Sequence, residues 1–315
     1  MPTLAGHNTL PNQPAVNTVR ALYVLPAAAR YPCERHMPPR TSLVVFSDVD
    51  AVLCAPRDPA FAAAGHLLRL HLPEDVALVF CSGKTRAELE FIQQMLGVWD
   101  PFIAENGGAA FIPDGYFDVD IPSARDFPGY SAVEFGRPYA DVVDELHRIA
   151  DRLAIPIVGF NDMSIEEVAR EYGLSLLQAR LAKLREYEEC FRVVDPSRSA
   201  GSRLVRALHA ARLRCVSEDA FYYVGAPVDY CLGVNLLDGL YRRAANEVVT
   251  IAVTNASRED NLSSLVDRRV MDLDADIAAG TVSVLDWAEA IINAVHESRK
   301  ERKALKGVSK SAANR

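Results

Sequence analysis

The sequence predicts an α/β fold, with a Rossmann-like parallel-sheet core and an α+β domain inserted into it. Apolar segments of strand length alternate with helical segments between residues 43 and 112, which is the order typical of a parallel sheet covered by helices. Between residues 114 and 226 the pattern changes to short strands mixed with helices, and afterwards the first pattern resumes. An insertion between two parts of one sheet accounts for both changes.

The predicted division of the chain has five segments. We expect a flexible N-terminal extension over residues 1–40, because it holds seven prolines without a sustained hydrophobic period. Met37, just before the first strand, is an alternative start of the protein. The other segments are the first part of the core (41–113), the inserted cap domain (114–226), the second part of the core (227–298) and a basic flexible tail (299–315).

The elements of the first part of the core follow from hydrophobic periodicity and from turn residues. The first strand is an apolar, β-branched segment that ends in Asp48 and Asp50. The other predicted elements are a helix at 61–70, a strand at 76–80, a helix that ends at Gly97, a strand at 102–104 and a returning strand at 109–112.

The later elements rest on capping signals and on further apolar periods. Two capping boxes, Ser164 with Glu167 and Ser175 with Gln178, predict the starts of two helices. The insert is predicted to hold helices at 164–172, 175–188 and 202–211 and strands at 155–160, 190–194 and 221–224. The second part of the core is predicted to hold a helix at 231–245, a strand at 248–254 and a last helix that begins at Ser283.

Composition limits the class of protein. Half of the 315 residues are apolar and the formal net charge is −8, so we expect no nucleic-acid partner. No apolar segment approaches the ~20 residues that cross a bilayer, and we expect no membrane partner. The six cysteines are scattered without a C-x-x-C pair, which favours reduced thiols in a cytoplasmic protein. The oligomeric state is not determined by the sequence.

Polar side chains follow three of the predicted strands at one edge of the sheet. They are Asp48 with Asp50, Ser82, and a late group formed by Asn255, Glu259 and Asp260. Open α/β sheets bind ligands at the carboxyl ends of their strands. Carboxylates suit a hydrated magnesium ion, and a serine hydroxyl can donate to a phosphoryl oxygen. Taken singly, an Asp-x-Asp pair after an apolar segment is more often a solvated strand end or a helix cap, and the serine is equally explained by a helix cap.

Four segments resemble one protein family. They are 46–50 (Phe-Ser-Asp-Val-Asp), 81–88 (Cys-Ser-Gly-Lys-Thr-Arg-Ala-Glu), 103–108 (Ile-Ala-Glu-Asn-Gly-Gly) and 185–191 (Arg-Glu-Tyr-Glu-Glu-Cys-Phe). They are similar to segments of the mannosyl-3-phosphoglycerate phosphatases, within the haloacid dehalogenase superfamily of phosphohydrolases. The resemblance covers roughly residues 42 to 298.

The resemblance implies a magnesium-dependent phosphatase that acts on a small phosphorylated sugar or glycerate derivative. Asp48 would attack phosphorus to give an aspartyl-phosphate, Asp50 would move the proton, and Ser82 would hold a phosphoryl oxygen. The resemblance also implies substrate-binding residues and magnesium ligands. The substrate-binding residues would be Lys84, Arg86, Glu105, Asn106 and Arg185, and the magnesium ligands would be Asp48, Asp50, Asn255, Glu259 and Asp260.

The chain departs from the family pattern at three places. Val52 replaces a threonine after the Asp-x-Asp pair, Tyr230 replaces a lysine before a late helix, and Asn255 replaces an aspartate. Losing one charge-stabilising group typically costs on the order of 10² to 10³ in rate. An alternative hypothesis is therefore a catalytically impaired or inactive member that binds a phosphosugar or a partner. A third is an ordinary Rossmann-like binding domain with chance matches.

Overall fold

The structure is a computed structural model of the chain. It describes residues 41–50, 59–194, 198–218, 220–245, 247–254, 265–272 and 283–313. The predicted N-terminal extension lies outside these residues. In the described part of the chain, two sheets and eight α-helices form an α/β region and an α+β region, and the α+β region is inserted between two parts of the α/β region.

The larger sheet has eight strands in the order β12-β11-β1-β2-β3-β4-β6-β5. The first five of these are mutually parallel, and the last three are antiparallel to their neighbours. The strands are β1 (Leu43–Asp48), β2 (Val76–Cys81), β3 (Phe102–Ala104), β4 (Ala109–Pro113), β5 (Arg125–Phe127), β6 (Tyr130–Glu134), β11 (Val249–Thr254) and β12 (Arg268–Asp272). The predicted parallel core is confirmed.

Helices cover both faces of this sheet. They are α1 (Pro59–His71), α2 (Arg86–Leu96), α7 (Tyr230–Ala244) and α8 (Val284–Ala313). Val44 and Phe46 of β1 pack in one core cluster with residues of α7. On the opposite face, Trp287 of α8 donates from Nε1 to the hydroxyl of Ser47 at 3.0 Å. Strand β1 is therefore buried on both sides, as its continuous apolar sequence predicts.

The smaller sheet has four antiparallel strands in the order β7-β8-β10-β9. These are β7 (Ile157–Gly159), β8 (Glu189–Val193), β9 (Arg214–Glu218) and β10 (Phe221–Gly225). Four helices accompany them: α3 (Tyr139–Leu153), α4 (Ile165–Glu171), α5 (Leu176–Ala182) and α6 (Arg198–Ala210). One apolar cluster joins α3 and α6 to the sheet, and another joins α4 and α5 to it. The predicted α+β insert thus has its own core.

Local sequence signals place several helix ends correctly. Thr85 caps α2 through a capping box with Glu88, and Gly97 ends that helix in the left-handed conformation at φ 72°. Both predicted capping boxes of the insert are present. The helix predicted over 175–188 is too long, because it ends at Ala182 and strand β8 begins at Glu189.

Two predicted boundaries differ from the described elements. Strand β6 pairs with β4 and β5 pairs with β6, both in the larger sheet, so the change to the smaller sheet falls after Glu134 instead of at residue 114. The expectation of a frayed tail from residue 299 is wrong, because α8 continues to Ala313. Arg302 binds the carbonyl of Ser42 at 3.1 Å and the carboxylate of Glu247 at 3.0 Å, which holds this part of the helix on the core. The full division into domains stays a prediction.

Two further observations concern the helices and the cysteines of the described residues. None of the helices in the described ranges has the length and apolar character required to cross a membrane. The four cysteines among the described residues are thiols and form no disulfide with one another: Cys81, Cys190, Cys215 and Cys231.

Candidate active site

Asp48, Asp50 and Ser82 lie together at the carboxyl ends of β1 and β2. The two strands are parallel with Asp48 opposite Cys81, so the next residues of both strands emerge at one edge. The Asp50 carboxylate accepts hydrogen bonds from the Ser82 hydroxyl and from the amide of Gly83, the latter at 2.8 Å. The Asp50 amide in turn donates to the Asp48 carboxylate at 2.9 Å. The predicted meeting of these three side chains is present in the structure.

The turn after β2 is shaped by the same serine. The Ser82 oxygen accepts a hydrogen bond from the amide of Lys84 at 3.0 Å, and the residue after Lys84, Thr85, caps α2. The Lys84 carbonyl accepts from the amide of Glu105 at 3.1 Å. Lys84 therefore lies on the loop beside the aspartates, at the position where a substrate-binding role was predicted. That role stays a prediction.

Arg86 is held by contacts within the protein. Its guanidinium pairs with Glu186 at 3.3 Å and with Glu90 at 2.6 Å. It also lies over the ring of Phe127, 4.9 Å from the ring centroid, at cation–π distance. These contacts support a positioning role between α2 and residue 186, and the predicted substrate contact stays untested.

Glu105 anchors the segment that precedes β8. Its buried carboxylate accepts hydrogen bonds from the amides of Glu186, Tyr187 and Glu188, at 2.9, 2.9 and 2.8 Å. Burial raises the pKa of Glu105 to about 8, against the charge of Arg185 and the amide donors, which lower it. The oxygens assigned to substrate binding in the sequence analysis are thus engaged with the main chain of 186–188.

Asn106 connects three segments of the chain. Its side-chain nitrogen donates to Glu188 at 2.7 Å, its side-chain oxygen accepts from the Tyr230 hydroxyl at 3.0 Å, and its amide donates to the Ser82 carbonyl at 3.0 Å. Asn106 is left-handed at φ 54°, a conformation that asparagine tolerates better than most residues. It links the strand-end aspartates to the segment that carries Glu188.

Gly107 is required by a close approach of two main-chain segments. Its φ is +96°, and a Cβ at this position would lie 2.2 Å from the carbonyl oxygen of Asp229. Asp229 is the cap of α7 and accepts from the amide of Cys231 at 2.9 Å. The Glu-Asn-Gly-Gly segment therefore seats the start of α7 directly against the site.

Arg185 and Glu188 form a buried charged pair, 3.6 Å apart. Only 5% of the Arg185 side chain is exposed, and its Nε and Nη1 have no hydrogen-bond partner among the described residues. Burial lowers the pKa of Arg185, but the nearby Glu105, Cys190 and Glu188 raise it, so that the net shift is upward. Burial raises the pKa of Glu188, and Asp50 adds to this shift, while Arg185 opposes it.

A small cavity of about 10 Å³, which is room for roughly one water molecule, lies beside these residues. It is lined by residues of the smaller sheet and by residues of the segments that connect strands and helices. The lining residues are Glu105, Asn106, Gly108, Gly136, Tyr187, Glu188, Arg214, Gly225, Ala226 and Val228.

Sequence reasoning missed Glu188, Arg214 and Tyr230 as parts of this site. Tyr230 was noted only as the replacement of a lysine, and Glu188 only within the family-like segment 185–191. No motif pointed to Arg214, which is brought to the cavity by the pairing of β9 with β10. The signal available for Glu188 was its place three residues after Arg185, in an otherwise recognised segment.

The predicted late magnesium ligands Asn255, Glu259 and Asp260 lie outside the described residues, as does Val52. Strand β11, which precedes them, is parallel to β1, with Val253 opposite Ser47. Among the residues described, no group of three or more His, Cys, Asp or Glu side chains could hold a metal ion. The carboxylate of Asp48 and the carbonyl of Asp50 are oxygen donors at one strand end, a donor type that fits Mg²⁺.

Comparisons with known proteins find relatives that are named as phosphatases. The chain is 34% identical over 224 residues to the glucosyl-3-phosphoglycerate/mannosyl-3-phosphoglycerate phosphatase of Methanococcoides burtonii, covering 71% of this chain and 82% of the relative. It is 26% identical over 250 residues to the mannosyl-3-phosphoglycerate phosphatase of Pyrococcus horikoshii, covering 79% and 98%.

Among solved structures, a haloacid dehalogenase-like hydrolase from Bacteroides thetaiotaomicron matches with a TM-score of 0.49 and 14% identity, over 80% of this chain and 100% of that one. No protein-family model matches the chain.

Proposed function

The chain belongs to the glucosyl/mannosyl-3-phosphoglycerate phosphatase family of phosphoric monoester hydrolases, and we propose that it removes the phosphate from glucosyl- or mannosyl-3-phosphoglycerate. The observation that carries this proposal is the contact of Asp48, Asp50 and Ser82 at the carboxyl edge of the sheet. A nucleophile and a proton carrier lie there next to a hydroxyl donor. These are the groups that a two-step phosphoryl transfer requires.

In the first step, a carboxylate oxygen of Asp48 forms a bond to phosphorus as the bond from phosphorus to the glyceryl oxygen breaks. Asp50 gives a proton to that leaving oxygen. In the second step, Asp50 takes a proton from a water molecule, which attacks phosphorus and releases inorganic phosphate from Asp48. The Ser82 hydroxyl, now hydrogen-bonded to Asp50, turns to a phosphoryl oxygen when substrate is bound.

Magnesium dependence is part of the proposal. The carboxylate of Asp48 and the carbonyl of Asp50 would hold the ion, together with the predicted ligands among Asn255, Glu259 and Asp260. When bound, Mg²⁺ would offset the negative charges of the phosphoryl group and of the nucleophile. The sequence does not decide which of the late residues contribute, and they lie outside the described residues.

The substrate class is supported by the buried cation beside the cavity. Two nitrogens of Arg185, Nε and Nη1, have no hydrogen-bond partner in the described part of the chain, and a buried N–H group is normally hydrogen-bonded. An anionic or hydroxyl-bearing ligand would supply the missing acceptors. The hypothesis of a non-catalytic member is not favoured, because the nucleophile, the proton carrier and the hydroxyl donor remain in contact. A cytoplasmic location remains a prediction.

The test is phosphate release from glucosyl- and mannosyl-3-phosphoglycerate with Mg²⁺ added, compared with the same assay after chelation. We expect turnover by the unmodified protein and at least roughly a 10³-fold loss in Asp48→Asn, which keeps the shape of the side chain but not the nucleophile. Asp141→Asn, at an exposed position in the first turn of α3, is the matched control and should keep full activity. Full activity of Asp48→Asn would overturn the mechanism.

A further inference from the structure

Arg214 is a second arginine at the cavity, and it comes from an edge strand of the smaller sheet. It begins β9, and 37% of its side chain is exposed. Its Nη1 lies 3.9 Å from the Glu188 carboxylate, beyond hydrogen-bonding distance. The guanidinium is therefore attracted to Glu188 but is not fixed by it.

A glycine of the smaller sheet lets Glu188 approach the position of Arg214. Gly225 is the residue of β10 opposite Arg214, and it also lines the cavity. A Cβ at position 225 would lie 3.4 Å from Cγ of Glu188 and 3.3 Å from the carbonyl oxygen of Tyr187. Because Gly225 has no side chain, Glu188 packs closely against β10 at the position opposite Arg214.

Other groups lie closer to the Glu188 carboxylate than Arg214 does. Asn106 donates to it at 2.7 Å, and the buried Arg185 lies 3.6 Å away. Glu105, the other carboxylate of the cavity lining, is engaged by three main-chain amides. Arg214 is thus a partly exposed cation at the cavity whose nearest carboxylate is already bound by other groups.

We infer that Arg214 binds the carboxylate of the substrate's glyceryl group. This inference rests on the proposed function and deepens it, since it assigns the recognition of the non-reacting anion to one residue. A guanidinium can bind a carboxylate with two parallel hydrogen bonds, which a single ammonium cannot do. Glu188 is the positioning residue, which keeps the guanidinium turned towards the cavity before the substrate arrives.

The test compares glucosyl-3-phosphoglycerate with its carboxyl methyl ester, which keeps the phosphate but lacks the second anion. For Arg214→Gln we expect KM for the acid to rise by roughly 10-fold or more, with kcat changed by less than about twofold, as for loss of a charge-assisted hydrogen bond. KM for the ester should stay within about twofold of the unmodified protein. Arg214→Lys should recover only part of the preference for the acid.

The control is Arg192→Gln in strand β8 of the same sheet, which is separated from β9 by β10. Arg192 pairs with Glu171 at 3.2 Å and its side chain is 33% exposed, so it matches Arg214 in charge and exposure. It should leave both KM values unchanged. An equal rise of KM for acid and ester in Arg214→Gln, or no rise for either, would overturn the inference.

A binding experiment separates this inference from the proposed function. Glucosylglycerate carries the carboxylate but no phosphate, so its affinity can be measured by calorimetry without turnover. We expect affinity to fall roughly 10-fold or more in Arg214→Gln. If the unmodified protein releases no phosphate yet shows this fall, the proposed function fails and the inference stands. Unchanged affinity would overturn the inference alone.

Discussion

The strand-end cluster and the segment 185–188 reach the same site by different routes. Asp48, Asp50 and Ser82 are placed by the pairing of two adjacent parallel strands. Residues 185–188 lie between α5 and β8 and are held by the Glu105 carboxylate and by Asn106. The first region depends on sheet register, and the second depends on a few hydrogen bonds between segments that are far apart in the sequence.

This difference separates chemistry from positioning. The cluster presents carboxylates and a hydroxyl that bond to one another. In the second region, Glu105 and Asn106 use their polar atoms on the protein itself, whereas Nε and Nη1 of Arg185 have no hydrogen-bond partner among the described residues. Changes in the cluster should therefore alter rate, and changes at Glu105 or Asn106 should alter stability and the placement of Arg185.

The largest expected effect is at Asp50, where a substitution should lower the rate far more than the stability. Asp50→Asn should lower kcat by about 10²- to 10⁴-fold, the usual contribution of a positioned proton carrier. The free energy of unfolding should fall by only about 1 kcal/mol, because the asparagine oxygen can replace one of the two acceptor oxygens. Phosphate release and urea denaturation measure the two quantities.

The matched control for Asp50→Asn is Asp144→Asn on an exposed face of α3, which should change neither quantity. Loss of stability in proportion to the loss of rate would contradict the separation. It would mean that Asp50 serves the fold through Ser82 and Gly83 and not the reaction.

Glu105 gives the opposite expectation. Glu105→Gln replaces one acceptor oxygen by an NH₂ group, so at least one of the three amides of 186–188 loses its acceptor. The free energy of unfolding should fall by about 1–3 kcal/mol, whereas kcat should fall by less than about tenfold because no reacting atom is removed. Denaturation of both proteins between pH 4 and 9 measures the change in the free energy of unfolding and its pH dependence. A shift of one pKa unit corresponds to ~1.4 kcal/mol.

The sign of that pH dependence follows from burial. Since the pKa of Glu105 is raised to about 8 from 4.5, the folded protein holds a proton that the unfolded chain releases. The stability from Glu105 is greatest below pH 4.5 and is lost as pH rises to about 8. Glutamine does not titrate, so the free energy of unfolding of the unmodified protein should fall relative to that of Glu105→Gln over this range. A difference in the free energy of unfolding that stays constant with pH would contradict this prediction. The control is Glu166→Gln, at an exposed position.

The same contrast explains what the sequence could predict. An apolar strand that ends in Asp48 and Asp50, and a second that runs into Ser82, are local patterns. Parallel pairing of the two strands then places their ends together, whatever the conformation of the connecting loops. The capping boxes at Ser164 and Ser175 are local in the same way, and they too were predicted correctly.

Contacts over long sequence distances could not be predicted. Glu105 and Glu188 are separated by 83 residues and Asn106 and Tyr230 by 124, and no local pattern specifies which carboxylate meets which amide. Arg86 was expected at the substrate because of its motif, yet it pairs with Glu186, 100 residues away. Arg214 carries no motif at all, and only the register of β9 with β10 places it at the cavity.

The smallest expected effect concerns Tyr230, at the position where the family pattern has a lysine. Its hydroxyl donates to the Asn106 side-chain oxygen at 3.0 Å, and Asn106 donates to Glu188. Tyr230→Phe removes one hydrogen bond of this connection, so the free energy of unfolding should fall by about 0.5–1.5 kcal/mol. A hydroxyl that only positions Asn106 should change kcat by less than about twofold, as phosphate release will measure.

Tyr116→Phe is the matched control, because the Tyr116 hydroxyl is also buried and hydrogen-bonded, to Asp100 at 2.7 Å and Tyr241 at 2.9 Å, among apolar core residues. It should lower stability at least as much as Tyr230→Phe and leave kcat unchanged. If Tyr230→Phe instead lowers kcat tenfold or more while Tyr116→Phe does not, the hydroxyl takes part in the reaction. Tyr230 would then belong with the strand-end cluster, and the boundary between chemistry and positioning would move to include α7.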